Sequence, residues 1–455
     1  MRDDTLYKKL CEHYENGAYP FHMPGHKRNI PEELFSINPY KIDITEIDGF
    51  DDLHHPEGCI KQAQERAAKL YGADETYFLI NGCTGGILAA VRACTQNDGK
   101  ILLARNSHKS VYNAVLINQL RPVYVWPEDK DGLAGAMSVS EVRKVLEENR
   151  DISCVFITSP TYEGYVSDIK AISEAAHEYG VPLIVDEAHG AHMKFHDIFP
   201  ESAVEAGADI VINGIHKTLP SLTQTALLHV QGNLVDRKKL RQSLGIFQSS
   251  SPSYVLMAAI DFAMTYICHE GVQLYNYYSE RLKILYDKLA GLDNLYVLPY
   301  GSGRDASKIV VCTDRAGISG HELYDMLVNA GLMPEMSSLY HVVLMTSAWD
   351  NEDAYEELAK ILCDIDAGLA GGASSEKYTY PKAEYVMPMS EAERAKEKCD
   401  KENIATDMIY IYPPGIPIVV PGERITEEVR AFINELKDKG YKVMGETVQQ
   451  EDSIL

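Results

Sequence analysis

Asn213-Gly214-Ile215-His216-Lys217-Thr218-Leu219-Pro220 is the stretch on which the reading of this chain turns. It places a lysine in an otherwise apolar segment, between two short runs rich in Val, Ile and Leu at 209–212 and 226–230. About a dozen residues separate those runs, too few for a comfortable helical crossover, so the two strands are expected to pair antiparallel. A non-helical connection then puts Lys217 on a loop at a strand end, where active-site groups sit in sheet proteins. A lone lysine is ordinarily a solvated surface charge. A buried one has a depressed pKa and serves as a nucleophilic amine toward carbonyl groups.

Upstream, further apolar runs recur at 76–80, 100–104, 122–126, 153–158 and 182–185. Most lack clean alternation, as strands covered on both faces do. Segments with helical spacing, such as 61–71, 140–149 and 168–179, lie between them. The pattern predicts an α/β fold with a mostly parallel seven-stranded sheet and helices on both faces. A long helix over 254–289 should lead into a smaller C-terminal α/β domain with a strand near 307–313 and a helix near 319–331. The expected division is an N-terminal arm (1–40), a large domain (41–294) and a small domain (295–455). A Gly-, Ser- and Lys-bearing connection is expected at 371–377, and a frayed end from 446 onward.

The composition is that of a globular chain: 45% hydrophobic and 24% charged over 455 residues. A formal net charge of −24 argues against nucleic acid or an anionic membrane as partner and mildly favours a cationic substrate. The start, MRDDTLYKKLCEHY, reads as an amphipathic helix rather than a signal peptide, and no stretch approaches the apolar length of a membrane span, so a cytoplasmic location is expected. Nine scattered cysteines, none in a Cys-x-x-Cys pair, read as free thiols in a reducing compartment.

Three more constellations carry chemistry. Asn81-Gly82-Cys83-Thr84-Gly85-Gly86 follows a strand and precedes a helix, so free N–H groups and the Thr84 hydroxyl can hold a phosphate. It matches neither the Walker loop nor the dinucleotide fingerprint, and a ligand-free Gly-rich turn is the plain alternative. Asp186-Glu187-Ala188-His189-Gly190-Ala191-His192 closes a buried strand, and its first carboxylate can keep a pyridine nitrogen protonated. Asp186, His189 and His192 can also be read as metal ligands, or as turn and capping residues. Arg105-Asn106-Ser107-His108-Lys109-Ser110 offers an imidazole to stack on a flat ring, or simply a helix capped by Ser107. Phosphate loop, strand-end Asp and then Lys after the next strand fit one cofactor, pyridoxal 5′-phosphate, which carries a phosphate, a pyridine nitrogen and an aldehyde.

These stretches resemble the ornithine/lysine/arginine decarboxylases, pyridoxal-phosphate enzymes of the aspartate-aminotransferase fold (fold type I). Phe21-His22-Met23-Pro24-Gly25-His26-Lys27, Asp43-Ile44-Thr45-Glu46, Asp51-Asp52-Leu53-His54-His55-Pro56 and Ser159-Pro160-Thr161-Tyr162-Glu163-Gly164 add to the likeness. So do residues 249–254, Tyr412-Pro413-Pro414-Gly415-Ile416-Pro417 and Pro421-Gly422-Glu423. The length resembles the compact branch of arginine decarboxylases without an N-terminal wing. The resemblance implies that Lys217 holds the aldehyde, Asp186 pairs with the pyridine nitrogen and His108 stacks on the ring. It implies that Cys83, Thr84, Gly85 and His216 surround the phosphate, with Ala188 and His189 lining the cofactor and substrate side. Ser249 or Ser250 would reach the phosphate of a neighbouring subunit in a homodimer or higher homo-oligomer.

The implied reaction is loss of the α-carboxyl group of a basic amino acid, arginine first and lysine or ornithine second, as in polyamine biosynthesis. His216 or Lys217 would return a proton to the α-carbon. Glu423, Asp51 and Asp52 are acidic candidates for the substrate's cationic end. An aminotransferase or other lyase, a metal-dependent hydrolase on Asp186, His189 and His192, and a degenerate non-catalytic homologue are the rivals. The family usually has hydroxyl residues where Cys83 and Gly214 stand, so weaker cofactor affinity is expected, which a Gly214→Ser variant would restore.

Overall fold

The computed structural model describes residues 5–15, 17–30, 38–301, 303–372, 381–412 and 415–445. Pro413, Pro414, most of the 371–377 connection and the stretch from 446 onward lie outside the described residues. The central sheet has seven strands: β1 (Glu75–Leu79), β2 (Lys100–Ala104), β3 (Arg121–Val125), β4 (Ile152–Thr158), β5 (Leu183–Asp186), β6 (Ile210–Asn213) and β7 (Ala226–Val230). Their spatial order is β1-β7-β6-β5-β4-β2-β3. Only β7 is reversed, antiparallel to both β1 and β6, while the other pairs are parallel.

Every residue of β5, β6 and β7 is buried, because helices cover both faces. Alternate residues of β2 feed opposite layers. Ile101 and Leu103 pack with Ile87 and Val111 of one helical layer, and Leu102 and Ala104 with Val142 and Ile172 of the other.

The connection from β6 to β7 differs from the expected loop. Ile215–Thr218 forms one helical turn, with the Leu219 amide bonded to the Ile215 carbonyl at 2.8 Å. Pro220 follows closely and the turn goes no further. One turn is far too short to cross a sheet, so β7 still runs antiparallel and Lys217 still stands at the strand end.

The long helix spans Tyr254–Leu289 as predicted. Contrary to the expectation from sequence, it contains a window apolar enough to cross a membrane, with mean hydropathy 1.3. Its inward stripe, including Ile260, Met264, Tyr275, Tyr278 and Leu282, is spent on the protein core. Beyond it, β8 (Lys308–Cys312) and β9 (His341–Met345) form the centre of a four-stranded antiparallel sheet. A third sheet joins Ile409–Ile411, Ile416–Val419 and Val443–Met444 beneath the helix Glu427–Asp438.

The segments around residues 19–27 and Glu423 are each fastened to distant parts of the chain. Tyr19–Phe21 pairs in parallel with Leu332–Pro334. Lys27 is buried and donates to the carbonyls of Pro20, His22 and Met345 at 2.9, 3.0 and 2.7 Å. Gly25 lies against the Lys217 turn so closely that a Cβ would stand 2.6 Å from the Thr218 carbonyl carbon.

Near the C-terminus, Glu423 grips Arg105 just past β2 through two contacts of 3.2 and 2.9 Å. The guanidinium also donates to the carbonyls of Pro417 (2.7 Å) and Ile418 (2.9 Å) and lies over Tyr112, Tyr124 and Trp126. Removing one partner of such a pair strands a buried charge. Glu423→Ala should therefore cost about 3–5 kcal/mol, measured by urea unfolding; a loss below about 1 kcal/mol would contradict this account.

Candidate active site

Four strand ends build the site. After β6, Gly214 opens the turn that carries Lys217. After β5, Asp186 is 4% exposed and its Oδ1 accepts from the Ala188 amide at 3.1 Å. Its Oδ2 has no hydrogen-bond partner among the described residues. Burial pushes this carboxyl up, while Lys217 and the Ala188 N–H oppose that. A buried carboxylate with one free oxygen calls for a cationic N–H donor, as a protonated pyridine ring supplies. On this observation the residues fit pyridoxal phosphate.

His189 continues from the same strand end. Its Nε2 lies 2.9 Å from Lys217 Nζ, and its ring meets Tyr162 with centroids 4.7 Å apart. Burial and the two lysines Lys217 and Lys308 hold His189 well below its ordinary pKa. Past β2, His108 itself caps the helix Lys109–Ile117, where Ser107 was the candidate cap: its Nδ1 accepts from the Ser110 amide at 3.2 Å. Burial, then Lys217 and Lys109, lower it to about 4, so the ring is neutral. Gly415 leaves room for that ring, since a Cβ there would stand 3.2 Å from His108 Nε2.

Past β1, the helix Gly82–Cys94 begins at the glycine-rich loop, with Thr84 exposed at its first turn. The Cys83 thiol is pushed up to about 12 by burial, so it stays protonated. His216 Nδ1 lies 2.9 Å from the Thr225 carbonyl and must donate to it. Burial lowers His216 to about 4. Ser249 and Ser250 are exposed on the loop after Phe247, whose carbonyl accepts from Asn81 at 3.1 Å.

Several sequence candidates are engaged elsewhere. His192 turns away from His189 to Asp305 (3.1 Å) and packs edge-on to Phe199, so it does not converge with Asp186 and His189. Among the described residues no three His, Cys, Asp or Glu side chains form a metal site. Glu423 belongs to Arg105. Asp51 caps the helix Cys59–Tyr71, accepting from the amides of Gly58 (2.7 Å), Glu57 (2.8 Å), Ile60 (3.1 Å) and Lys61 (3.2 Å). Asp52 accepts from the His54 amide at 2.8 Å and pairs with His55.

Sequence reasoning missed two groups. Lys308, wholly buried at the head of β8, reaches His189 Nδ1 at 3.4 Å. Glu335 accepts from the Tyr162 hydroxyl and, at 2.9 Å, from the Met23 amide. Lys308 carried the same signal as Lys217, a lysine beside an apolar run. Glu335 carried none, because its neighbours are far away in sequence.

A seven-stranded, mainly parallel sheet with Asp, His and Lys at its strand ends is the aspartate-aminotransferase-like architecture of fold type I pyridoxal-phosphate enzymes. The Orn/Lys/Arg decarboxylase major-domain model matches residues 4–298, and the model of that family's C-terminal domain matches 374–443. The arginine decarboxylase of Bacillus subtilis (strain 168) is 32% identical over 100% of this chain and 97% of its own length. That of Bacillus anthracis is 32% identical over 97% and 95%. The Francisella novicida lysine decarboxylase LdcF superposes with a TM-score of 0.75 at 18% identity, over 97% of this chain and 82% of that one. The chain belongs to the Orn/Lys/Arg decarboxylase family and is an amino-acid decarboxylase.

The Gly214 departure now has a physical cause. A Cβ at 214 would stand 2.7 Å from the Ala188 carbonyl oxygen and 3.2 Å from Cys83 Sγ. The two departures thus face each other, and the Cys83 side chain borders the space a larger residue at 214 would need. Gly214→Ser should destabilise the protein by about 1–3 kcal/mol through overpacking and should not tighten pyridoxal phosphate. Thermal unfolding and cofactor titration check both halves; tighter binding at unchanged stability would contradict the steric reading.

Proposed function

We propose that this enzyme removes the α-carboxyl group of arginine, and less well of lysine or ornithine, with pyridoxal 5′-phosphate bound at Lys217. The observation that carries this reading is the placement of the Lys217 amine beside His189, on the same strand ends as a buried Asp186 with a free carboxylate oxygen. When bound, the cofactor supplies an electron sink for the electrons left on the α-carbon as carbon dioxide departs.

The side chains divide the work. Lys217 holds the aldehyde carbon, and Lys217 or His216 is the candidate to return the proton. Asp186 keeps the ring nitrogen protonated, and neutral His108 presents a flat face to the ring. The helix-start amides of Cys83 and Thr84, with the Thr84 hydroxyl, hold the phosphate, and Gly85, whose own amide donates to Asn81, lets it approach the backbone. Ala188 and His189 line the cofactor and substrate side. Ser249 or Ser250 completes the phosphate site of a second copy in a homodimer.

For the cationic end of the substrate we assign Glu335. It is half-buried, and two of the roughly four lone-pair positions of its carboxylate are used by Tyr162 and Met23. We further propose the division into arm, large domain and small domain at residues 40 and 294, a cytoplasmic location and a role in polyamine formation.

Lys217→Ala should abolish carbon dioxide release from all three amino acids and the yellow absorbance gained on adding cofactor; turnover that survives would rule this function out. Glu335→Gln should raise the KM for arginine by roughly tenfold or more, as loss of a charged hydrogen bond implies. An unchanged KM would assign the cation to another group.

A further inference from the structure

We propose that Tyr162 is a positioning residue that sets the length of side chain this enzyme accepts: its ring rests on His189, the neighbour of Lys217, and its hydroxyl holds Glu335 at a set distance from that amine. The inference rests on the assignment of Glu335 to the cationic end of the substrate. Each link is a contact between segments far apart in sequence. His189 Nε2 lies 2.9 Å from Lys217 Nζ. The rings of Tyr162 and His189 meet with centroids 4.7 Å apart, tilted by 59°. The Tyr162 hydroxyl donates to Glu335 Oε1, and the Met23 amide donates to Oε2 at 2.9 Å.

Both ends of the link are held. Tyr162 sits in a tight turn, where the Thr161 amide donates to the Tyr165 carbonyl at 2.8 Å and the Gly164 amide to the Thr161 carbonyl at 3.0 Å. Its ring also packs against the apolar cluster of Val310, Cys312, Met336 and Val343. The Glu335 amide is fixed in turn to the Val343 carbonyl at 2.9 Å. Burial, then Glu335 beside it, pushes the Tyr162 phenol well above its ordinary pKa, so it remains a donor. A free glutamate side chain samples many rotamers. With one oxygen on Tyr162 and the other on Met23, this carboxylate has a single orientation, and its remaining lone pairs face one place. A substrate one methylene too long cannot put its cation there while its amine stays at Lys217, and a misfit of that size is worth about tenfold or more.

Arginine and homoarginine carry the same guanidinium and differ by one methylene, so comparing them reads length alone. Carbon dioxide release from each is followed with the holoenzyme in wild type, Tyr162→Phe and Glu335→Gln. Phenylalanine keeps the ring on His189 and removes only the hydroxyl; thermal unfolding verifies that the variant is folded. Wild type should prefer arginine by about tenfold or more in kcat/KM. Tyr162→Phe should shrink the preference to about twofold, through a higher KM for arginine at little-changed kcat. Calorimetric binding of both amino acids to the cofactor-free chain should lose its preference in the same variant. A wild type indifferent to the extra methylene overturns the proposal. So does a folded Tyr162→Phe that keeps the preference, or one in which kcat falls equally for both at unchanged KM. An arginine KM unmoved in Glu335→Gln removes the assignment of Glu335 and this proposal with it. A raised KM there, with the preference intact in Tyr162→Phe, removes only the role of Tyr162.

Discussion

Asn213 and Ala226 are joined by residues 214–225, and that short span governs the site. A parallel return over these twelve residues would have to spend nearly all of them on a crossover helix. The chain instead makes one helical turn and comes back antiparallel. Lys217 is thereby held at the same edge of the sheet as Asp186, and Gly25 presses on the turn from the far side. The buried carboxylate of Glu187 ties the two strand ends together. It accepts from Asn213 Nδ2 at 2.9 Å and from the Ala203 amide at 2.7 Å, and burial raises it to about 8.

Buried charge then fastens the remote parts of the chain to this edge. Arg105 and Glu423 join the end of β2 to the last third of the sequence, with carbonyls and aromatic faces satisfying the guanidinium. Lys27 ties the N-terminal segment to the end of β9 through the Met345 carbonyl, besides donating to Pro20 and His22 of its own segment. Lys308 differs, because the hydrogen-bond partner of its ammonium among the described residues is an imidazole in the site. A buried ammonium is costly unless paired, and Asp305 and Glu335, which help sustain its charge, form no ion pair with it among the described residues. Structural lysine and site lysine are thus told apart by what they touch.

Much of the site was legible because strand-end chemistry is local. Residues 84, 186 and 217 each follow an apolar run, and strand ends at one edge of a parallel sheet must lie together. The strands themselves were found within one residue or so, since runs covered on both faces need continuous apolar sequence. Reading failed where a residue's role depends on a partner distant in sequence. Glu423 and Asp51 read as free acids until Arg105 and four backbone amides claimed them. His192 read as a ligand beside His189 until its ring turned to Asp305. The long helix read as a link, yet one window of it is apolar enough by composition to suit a membrane, a test that a core helix also passes.

The sequence by itself determined the sheet, the reversal of β7 and the trio of Thr84, Asp186 and Lys217, because each follows from short-range spacing and the geometry of strand connections. Only the tertiary structure decided that Gly214 has no room for a side chain, that Glu335 sits against Tyr162 and the Met23 amide, and that Lys308 stands behind His189. Each of those depends on distances between segments more than a dozen residues apart, and such distances are set by packing, which no local pattern encodes.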